Sequence, residues 1–292
     1  MKTEIKKIDG TKRELHIEVE GDVVNNKFDD VLKKIGQEAK VAGFRPGHAP
    51  RDVIEKHYSS QAHEQVLKEL IPDVYNQAIE KEGLDVIELP NIYDVKLTRS
   101  NLAFKAAVEV TPEIKLGNYK GIKVEYKNIE VTPEELKRRI DSLRESRKAQ
   151  EADDSFARGL GYPGLAELEK TLSQQVFLEK EKQQHRRIEE NLIEALTKQA
   201  DFKLPESMVK RQLEDFLRRA KLDLALKGVA REKIDENEGE LKKDLEPEAR
   251  SQVRTYLVLA AVARKENIAI NDEMPAKVLE FLLREASWQQ VK

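Results

Sequence analysis

Gly43-Phe44-Arg45-Pro46-Gly47-His48-Ala49-Pro50 is the stretch on which the reading of this chain turns. It sets an aromatic ring beside a guanidinium, between two glycines and two prolines. Proline fixes φ and has no N–H, and glycine permits turns barred to other residues, so the octapeptide is neither helix nor strand. The expectation is an exposed, stiff loop that presents Phe44 and Arg45, a pairing enriched at binding hot spots. The bland alternative is a plain interhelical turn with Phe44 folded back onto the core.

Regular elements flank the loop on both sides. Residues 1–20 read as a hairpin: Leu15, Ile17 and Val19 alternate with polar residues and Asp9-Gly10 turns the chain. Phe28, Val31, Leu32 and Ile35 recur at helical spacing and predict a helix over about 24–40. After the loop, 51–57 suit one or two helical turns. A longer helix follows with Val66, Leu67 and Leu70 on one face, and Pro72 is expected to kink or split it. Residues 92–98 and 102–110 form a second strand pair, the latter with period two at Leu102, Phe104, Ala106, Val108 and Val110. These elements make an α+β domain over 1–111, helices packed on one antiparallel sheet.

Residues 112–131 read as an extended linker or edge strand, and 132–292 as an all-helical domain of long helices. Thr132-Pro133-Glu134-Glu135 is a helix start with a capping box. Apolar stripes mark helices from about Leu165 to Lys198, from Pro205 through Leu224, through Val253–Ala260 and through Val278–Leu283. The charged stretch 231–247, with Gly239 and Pro247, reads as a mobile loop.

Composition narrows the chemistry. Of 292 residues, 37% are charged and only 5% aromatic, and the net charge of −3 argues against bulk nucleic-acid binding. Absence of cysteine excludes disulfides and thiolate chemistry. The first residues lack the apolar centre of a signal peptide, and no apolar run suits a membrane span, so a cytoplasmic location is the expectation. The five histidines are not paired at helical ligand spacing, and no phosphate loop or serine nucleophile elbow occurs. No catalytic residue, metal ligand or cofactor is expected. Between Lys40 and His57, four cations (Lys40, Arg45, Arg51, Lys56) face two acids (Asp52, Glu55), a local positive balance that suits phosphate.

The loop with its following Arg51-Asp52-Val53-Ile54 resembles the ribosome-docking signature Gly-Phe-Arg-x-Gly-x-x-Pro of trigger factor, a family of bacterial chaperones. Every fixed position matches; the variable one, often Lys in that family, is Pro46. The helical half resembles the family's long-helix, arm-bearing body, so the resemblance implies an elongated multidomain chain. Phe156-Ala157-Arg158 before Gly161 matches where that body resumes after the family's peptidyl-prolyl isomerase domain. Here the two sides join near 148–153, leaving no room for that insert.

The resemblance implies an ATP-independent chaperone, not an enzyme, that docks at the ribosomal exit tunnel through Gly43, Phe44, Arg45, Pro46, Gly47, His48 and Pro50. Its partners would be ribosomal protein, rRNA phosphate, and nascent or unfolded polypeptides, with no membrane and with a weak homodimer allowed. Leu172, Val176, Leu213, Phe216, Leu217 and Leu282 are the expected open client-binding residues of a partly apolar cradle. A ribosome-independent holdase or assembly factor, a helical scaffold, and a prolyl isomerase are the rival readings.

Overall fold

The computed structural model describes residues 1–45 and 47–291. By compactness these fall into two units, Met1–Glu113 with Phe202–Val253, and Ile114–Asp201 with Arg254–Lys292. Compactness and chain order therefore do not coincide: part of the helical half belongs with the sheet domain.

The first unit is built on an antiparallel sheet of order β1-β2-β4-β3, from β1 (Lys2–Lys7), β2 (Lys12–Glu20), β3 (Asn91–Leu97) and β4 (Asn101–Glu109). In the central pair Leu15 lies opposite Ala106, Ile17 opposite Phe104 and Val19 opposite Leu102, and all six are buried. The period-two pattern thus sends one face of both strands into a single core. Helices α1 (Asp22–Glu38) and α2 (Arg51–Glu82) cover that face through Val24, Phe28, Val31, Val66, Leu70 and Val74.

Pro72 does not break α2. The irregular residue is Tyr58, at φ −118° and ψ 19°, while Pro72 sits inside the helix. An interior proline costs about 3 kcal/mol, and burying a residue such as Leu70 or Val74 contributes about 1.5–3 kcal/mol each. Both flank Pro72 and both are buried, so packing outweighs the missing hydrogen bond.

The expected mobile loop at 231–247 is also helical. Helix α6 spans Glu206–Leu226, α7 Arg231–Glu236, and α8 Glu238–Lys265. Ion pairs and one buried side chain accompany the ordering of the segment. Lys221 bonds Asp235 at 3.0 Å and Glu238 at 2.6 Å, Lys242 lies 2.5 Å from Glu238, and Ile234 is buried beneath them. The Lys221 and then the Lys242 ammonium hold the Glu238 carboxyl at about 2.

A buried acid joins α6 to the sheet. Glu109, at the end of β4, accepts the Glu206 N–H at 3.0 Å and the Ser207 N–H at 2.9 Å, and the Ser207 hydroxyl also donates to it. A helix start leaves its first N–H groups without intrahelical partners, and here a carboxylate from another element takes them. Beside it Lys203 meets Asp9 at 2.6 Å.

In the second unit α3 (Pro133–Ser146), α4 (Asp154–Gly159) and α5 (Leu165–Gln199) enclose Ile140, Ala157, Leu168 and Leu172. The capping box forms: the Glu135 N–H donates to Thr132 Oγ1 at 3.3 Å and the Thr132 N–H to Glu135 Oε2 at 3.0 Å. The acidic cluster at 151–154 supplies caps. Asp153 accepts the Phe156 N–H at 2.8 Å, and Asp154 accepts the Leu165 N–H at 2.7 Å. Residues 147–153 thereby pass from α3 to α4 with both following helix starts satisfied. Helix α9 (Met274–Arg284) buries Met274, Val278 and Leu282. One short strand departs from the all-helical pattern: β6 (Ser287–Gln290) pairs in parallel with β5 (Lys123–Tyr126).

Glu109→Ala is expected to lower unfolding stability by about 1 kcal/mol, because it leaves the part-buried donors at the start of α6 without their carboxylate. Urea unfolding followed by circular dichroism checks this; an unchanged midpoint would show that the clamp is energetically idle.

Candidate functional site

The octapeptide leaves α1 and enters α2 under constraint at each end. Helix α1 makes its last bond from the Ala39 N–H to Ile35 O at 2.8 Å, and Ala39 then turns extended. Two turns follow. The Phe44 N–H donates to Val41 O at 3.1 Å across Gly43 at φ +87°, and the His48 N–H to Arg45 O at 3.0 Å across Gly47 at φ +83°. Both glycines hold the third turn position with positive φ, a conformation that other side chains resist. The loop then enters α2 at Pro50, whose carbonyl accepts Val53 and Ile54 N–H at 3.1 Å.

The expected loop residues divide as follows. Gly43, Phe44, Arg45, Gly47, His48 and Pro50 are exposed, Phe44 by 41%, so the folded-back alternative does not hold. Pro46 lies outside the described residues. Arg45 has no acidic partner among the described residues.

The stem is tightly braced. A Cβ on Gly36 would stand 2.8 Å from Ile54 Cδ1, so α1 meets the start of α2 closely there and a larger residue would make the Ile54 side chain shift. The Tyr58 hydroxyl donates to Lys40 O at 3.2 Å, and Tyr58 is the residue at which α2 bends. Arg51 pairs with Asp29, and Arg99, from the β3–β4 turn, reaches Asp29 at 2.5 Å and Glu55 at 3.1 Å. The Arg99 guanidinium also lies 5.1 Å from the Phe28 ring centroid. Arg51 is therefore engaged at the stem, and Arg45 is the cation of the loop itself. Sequence reading missed Arg99 and Asp29: they stand far from the loop in the chain, and no local pattern links them.

Further along the same helix pair, Lys27 on α1 meets Glu69 on α2 at 2.9 Å, with Lys34 at 3.5 Å. The Gln65 amide and then the Lys27 ammonium hold the Glu69 carboxyl at about 2.

The six expected client residues are not all open. Leu172, Leu217 and Leu282 are buried, which corrects the expectation of exposure, whereas Val176, Leu213 and Phe216 are half-buried. Periodicity shows which residues share a face, and the face it selected is the one that packs. The exposed apolar residues lie elsewhere. Leu222 (63%) and Leu226 (79%) stand one turn apart, on the side of α6 away from Val209, Leu213 and Leu217 at about 3.6 residues per turn. Val229 extends the pair past the helix end. There the Val229 N–H bonds Leu224 O at 3.1 Å and the Gly228 N–H bonds Ala225 O at 3.0 Å, a Schellman stop with Gly228 at φ +84°. Phe177 and Leu178 form a second exposed pair, on α5.

Among the described residues no group of three or more His, Asp or Glu could hold a metal ion. No described helix is long and apolar enough to cross a membrane.

Comparison with known proteins covers most of the chain. Residues 1–143 match the profile described as bacterial trigger factor protein (TF), and residues 164–292 match that of its C-terminus. A trigger factor of Solibacter usitatus is 40% identical over 144 residues, 49% of this chain and 34% of that protein. One of Carboxydothermus hydrogenoformans is 24% identical over 376 residues, covering 94% of this chain and 88% of that protein. That alignment is longer than the chain of 292 residues, so the relative carries sequence with no counterpart here. A solved structure described under "Promiscuous Substrate Recognition in Folding and Assembly Activities of the Trigger Factor Chaperone" has the same fold. Its TM-score is 0.62 at 16% identity, over 98% of this chain and 100% of that one.

The Glu69 pairing gives α1 and α2 an acid-sensitive hold. Its folded pKa lies below the ordinary 4.5, so it contributes stability above about pH 4.5 and loses it as pH falls toward about 2. Wild type and Glu69→Gln should therefore differ most in unfolding free energy above pH 4.5 and converge near pH 2. A constant difference across that range would remove the carboxylate as the cause.

Proposed function

Because the chain belongs to the bacterial trigger factor family, we propose that it acts as an ATP-independent chaperone that docks on the ribosome and holds unfolded polypeptides. The observation that carries the docking half is the braced tip: Phe44 exposed on a turn and Arg45 without an acidic partner among the described residues. An aromatic ring seeks an apolar slot on ribosomal protein, and a guanidinium seeks rRNA phosphate or a carboxylate. Bracing at Gly36, Tyr58 and Asp29 lowers the ordering cost of binding, which supports affinity from a small contact. Residues 1–111 provide this docking domain, 112–131 an extended connection, and 132–292 the client-holding body, of which 202–253 pack with the sheet unit. The work takes place in the cytoplasm.

The holding half rests on exposed apolar side chains set among charge: Leu222, Leu226 and Val229 on α6, and Phe177 and Leu178 on α5. Half-buried Val176 on α5, and half-buried Leu213 and Phe216 on the other side of α6, offer further apolar area, each within its own unit. Buried Leu172, Leu217 and Leu282 belong to the packing of their own units. Scattered patches of this kind bind many clients weakly, since burial contributes about 25 cal/mol per Å² and ordering the client offsets much of it. No bond is made or broken, and no cofactor takes part. Prolyl isomerisation does not fit, because residues 144–163, between the two matched segments, run through the end of α3, the short α4 and the turn into α5.

Replacing Phe44, Arg45 and Pro46 together with Ala should abolish co-sedimentation with ribosomes while the circular dichroism spectrum stays that of wild type. Undiminished co-sedimentation would sink the docking reading. Wild-type binding should weaken as salt rises, because screening acts on the Arg45 contact.

Leu222→Ser with Leu226→Ser should reduce suppression of aggregation of a denatured protein severalfold, without ATP and at stoichiometric ratios. Ribosome binding should not change. Full suppression by the double variant would place client binding elsewhere.

A further inference from the structure

An unpaired strand edge is a template for another chain, and folded proteins blunt such edges with charge, bulges or cover. The described strands of this chain treat their edges unequally. The four-stranded sheet ends at β1 and β3. Strand β1 carries Lys2, Glu4, Lys6 and Lys7. Strand β3 shifts register between Tyr93 and Lys96, with Asp94 at φ +53°. In the two-stranded sheet, β5 carries Lys123 and Glu125, and the following Lys127 N–H is taken by Gln184 Oε1 at 3.2 Å.

Strand β6 has none of these devices. Ser287-Trp288-Gln289-Gln290 carries no charge, proline or register shift, and all four residues are exposed. Its inner side is used: Ser287 N–H donates to Ile122 O and Val291 N–H to Tyr126 O, both at 2.9 Å. Successive residues of a strand turn their backbone groups to opposite edges, so the Trp288 and Gln290 N–H groups point outward. No strand pairs with that side among the described residues. The Trp288 ring is held in place beside it, 6.0 Å from Tyr126 at 69°, with its indole N–H donating to Leu283 O at 3.1 Å. It is nonetheless 45% exposed.

We propose that the outer edge of β6 accepts an extended segment of unfolded polypeptide as a third strand. The guest bonds the backbone of Trp288 and Gln290, and the Trp288 ring covers one apolar guest side chain. The chemistry selects this occupant. A row of backbone donors and acceptors flanked by uncharged serine and glutamine recognises a main chain, whatever its side chains. A two-stranded sheet is marginal alone and gains from a third strand. That the guest is a chaperone client rests on the function proposed above; that the edge takes a strand does not.

Trp288 is the single tryptophan of the chain, so its fluorescence reports on this edge alone. The probe is a capped eight-residue peptide of alternating Val and Thr, titrated into the full chain. Its control is the same peptide N-methylated at alternate residues, which removes one edge of hydrogen bonds. We expect a saturable shift of Trp288 emission with the first peptide and at least tenfold weaker binding of the control. Gln290→Pro deletes the outward N–H and leaves the Ser287 and Val291 bonds, and it should weaken binding by a similar factor. Equal binding of the methylated peptide to wild type would overturn the proposal, and that arm does not depend on any variant folding. Absence of peptide binding, with a wild-type dimer that Gln290→Pro dissociates in sedimentation, would assign the edge to a second copy and also overturn it. Peptide binding by a wild type that fails to suppress aggregation would uphold the edge and remove the client as its guest.

Discussion

The close approach of α1 to the start of α2 at Gly36 is the constraint on which the loop depends. With Ile54 seated where a side chain would otherwise stand, the two helices converge just before the chain leaves one and joins the other. The octapeptide has to span that narrow gap, and it does so with two tight turns at Gly43 and Gly47. Bracing by Tyr58 and by the Asp29 ion pairs acts on the same stem. Those pairs are part-exposed and worth little individually. Their effect is to restrict the geometry of a stem already set by packing.

A second constraint concerns helix starts, each of which must satisfy N–H groups that the helix cannot. The chain meets it with acids drawn from different distances. Glu135 and Asp153 act on their own helices, Asp154 reaches the start of α5, and Glu109 crosses from β4 to α6. The last of these explains why residues from Phe202 onward group with the sheet domain. Chain order alone would assign them to the helical half, but a buried carboxylate and the Asp9–Lys203 pair tie them to β4 and the β1–β2 turn.

Exposure, more than composition, separates the surfaces with binding potential from the core. Leu217 and Leu222 are the same residue type on one helix, and one is buried while the other stands open. The same contrast divides the strands. Lysines blunt β1 and a register shift interrupts β3, and the short uncharged β6 is left plain.

Local pattern determined much of this protein by itself. The hairpin, the helix leading into the loop, the period-two strand at 102–110 and the capping box at Thr132 all follow from contacts a few residues apart, and such contacts are written in the order of the chain. The Gly-Phe-Arg-x-Gly-x-x-Pro loop is equally local, since its glycines and prolines dictate their own turns. Tertiary structure decided the rest. Pro72 stays helical because buried neighbours outweigh one lost bond, and 231–247 is helical where Ile234 is buried and Lys221 lies across from Asp235 and Glu238. Arg99 braces a stem it does not adjoin in sequence, and β6 exists only because β5 is there to pair with. A stripe on a helix shows which residues share a side, but a partner from elsewhere in the chain decides whether that side is covered. That is why Leu172, Leu217 and Leu282 are core and Leu222 and Leu226 are surface.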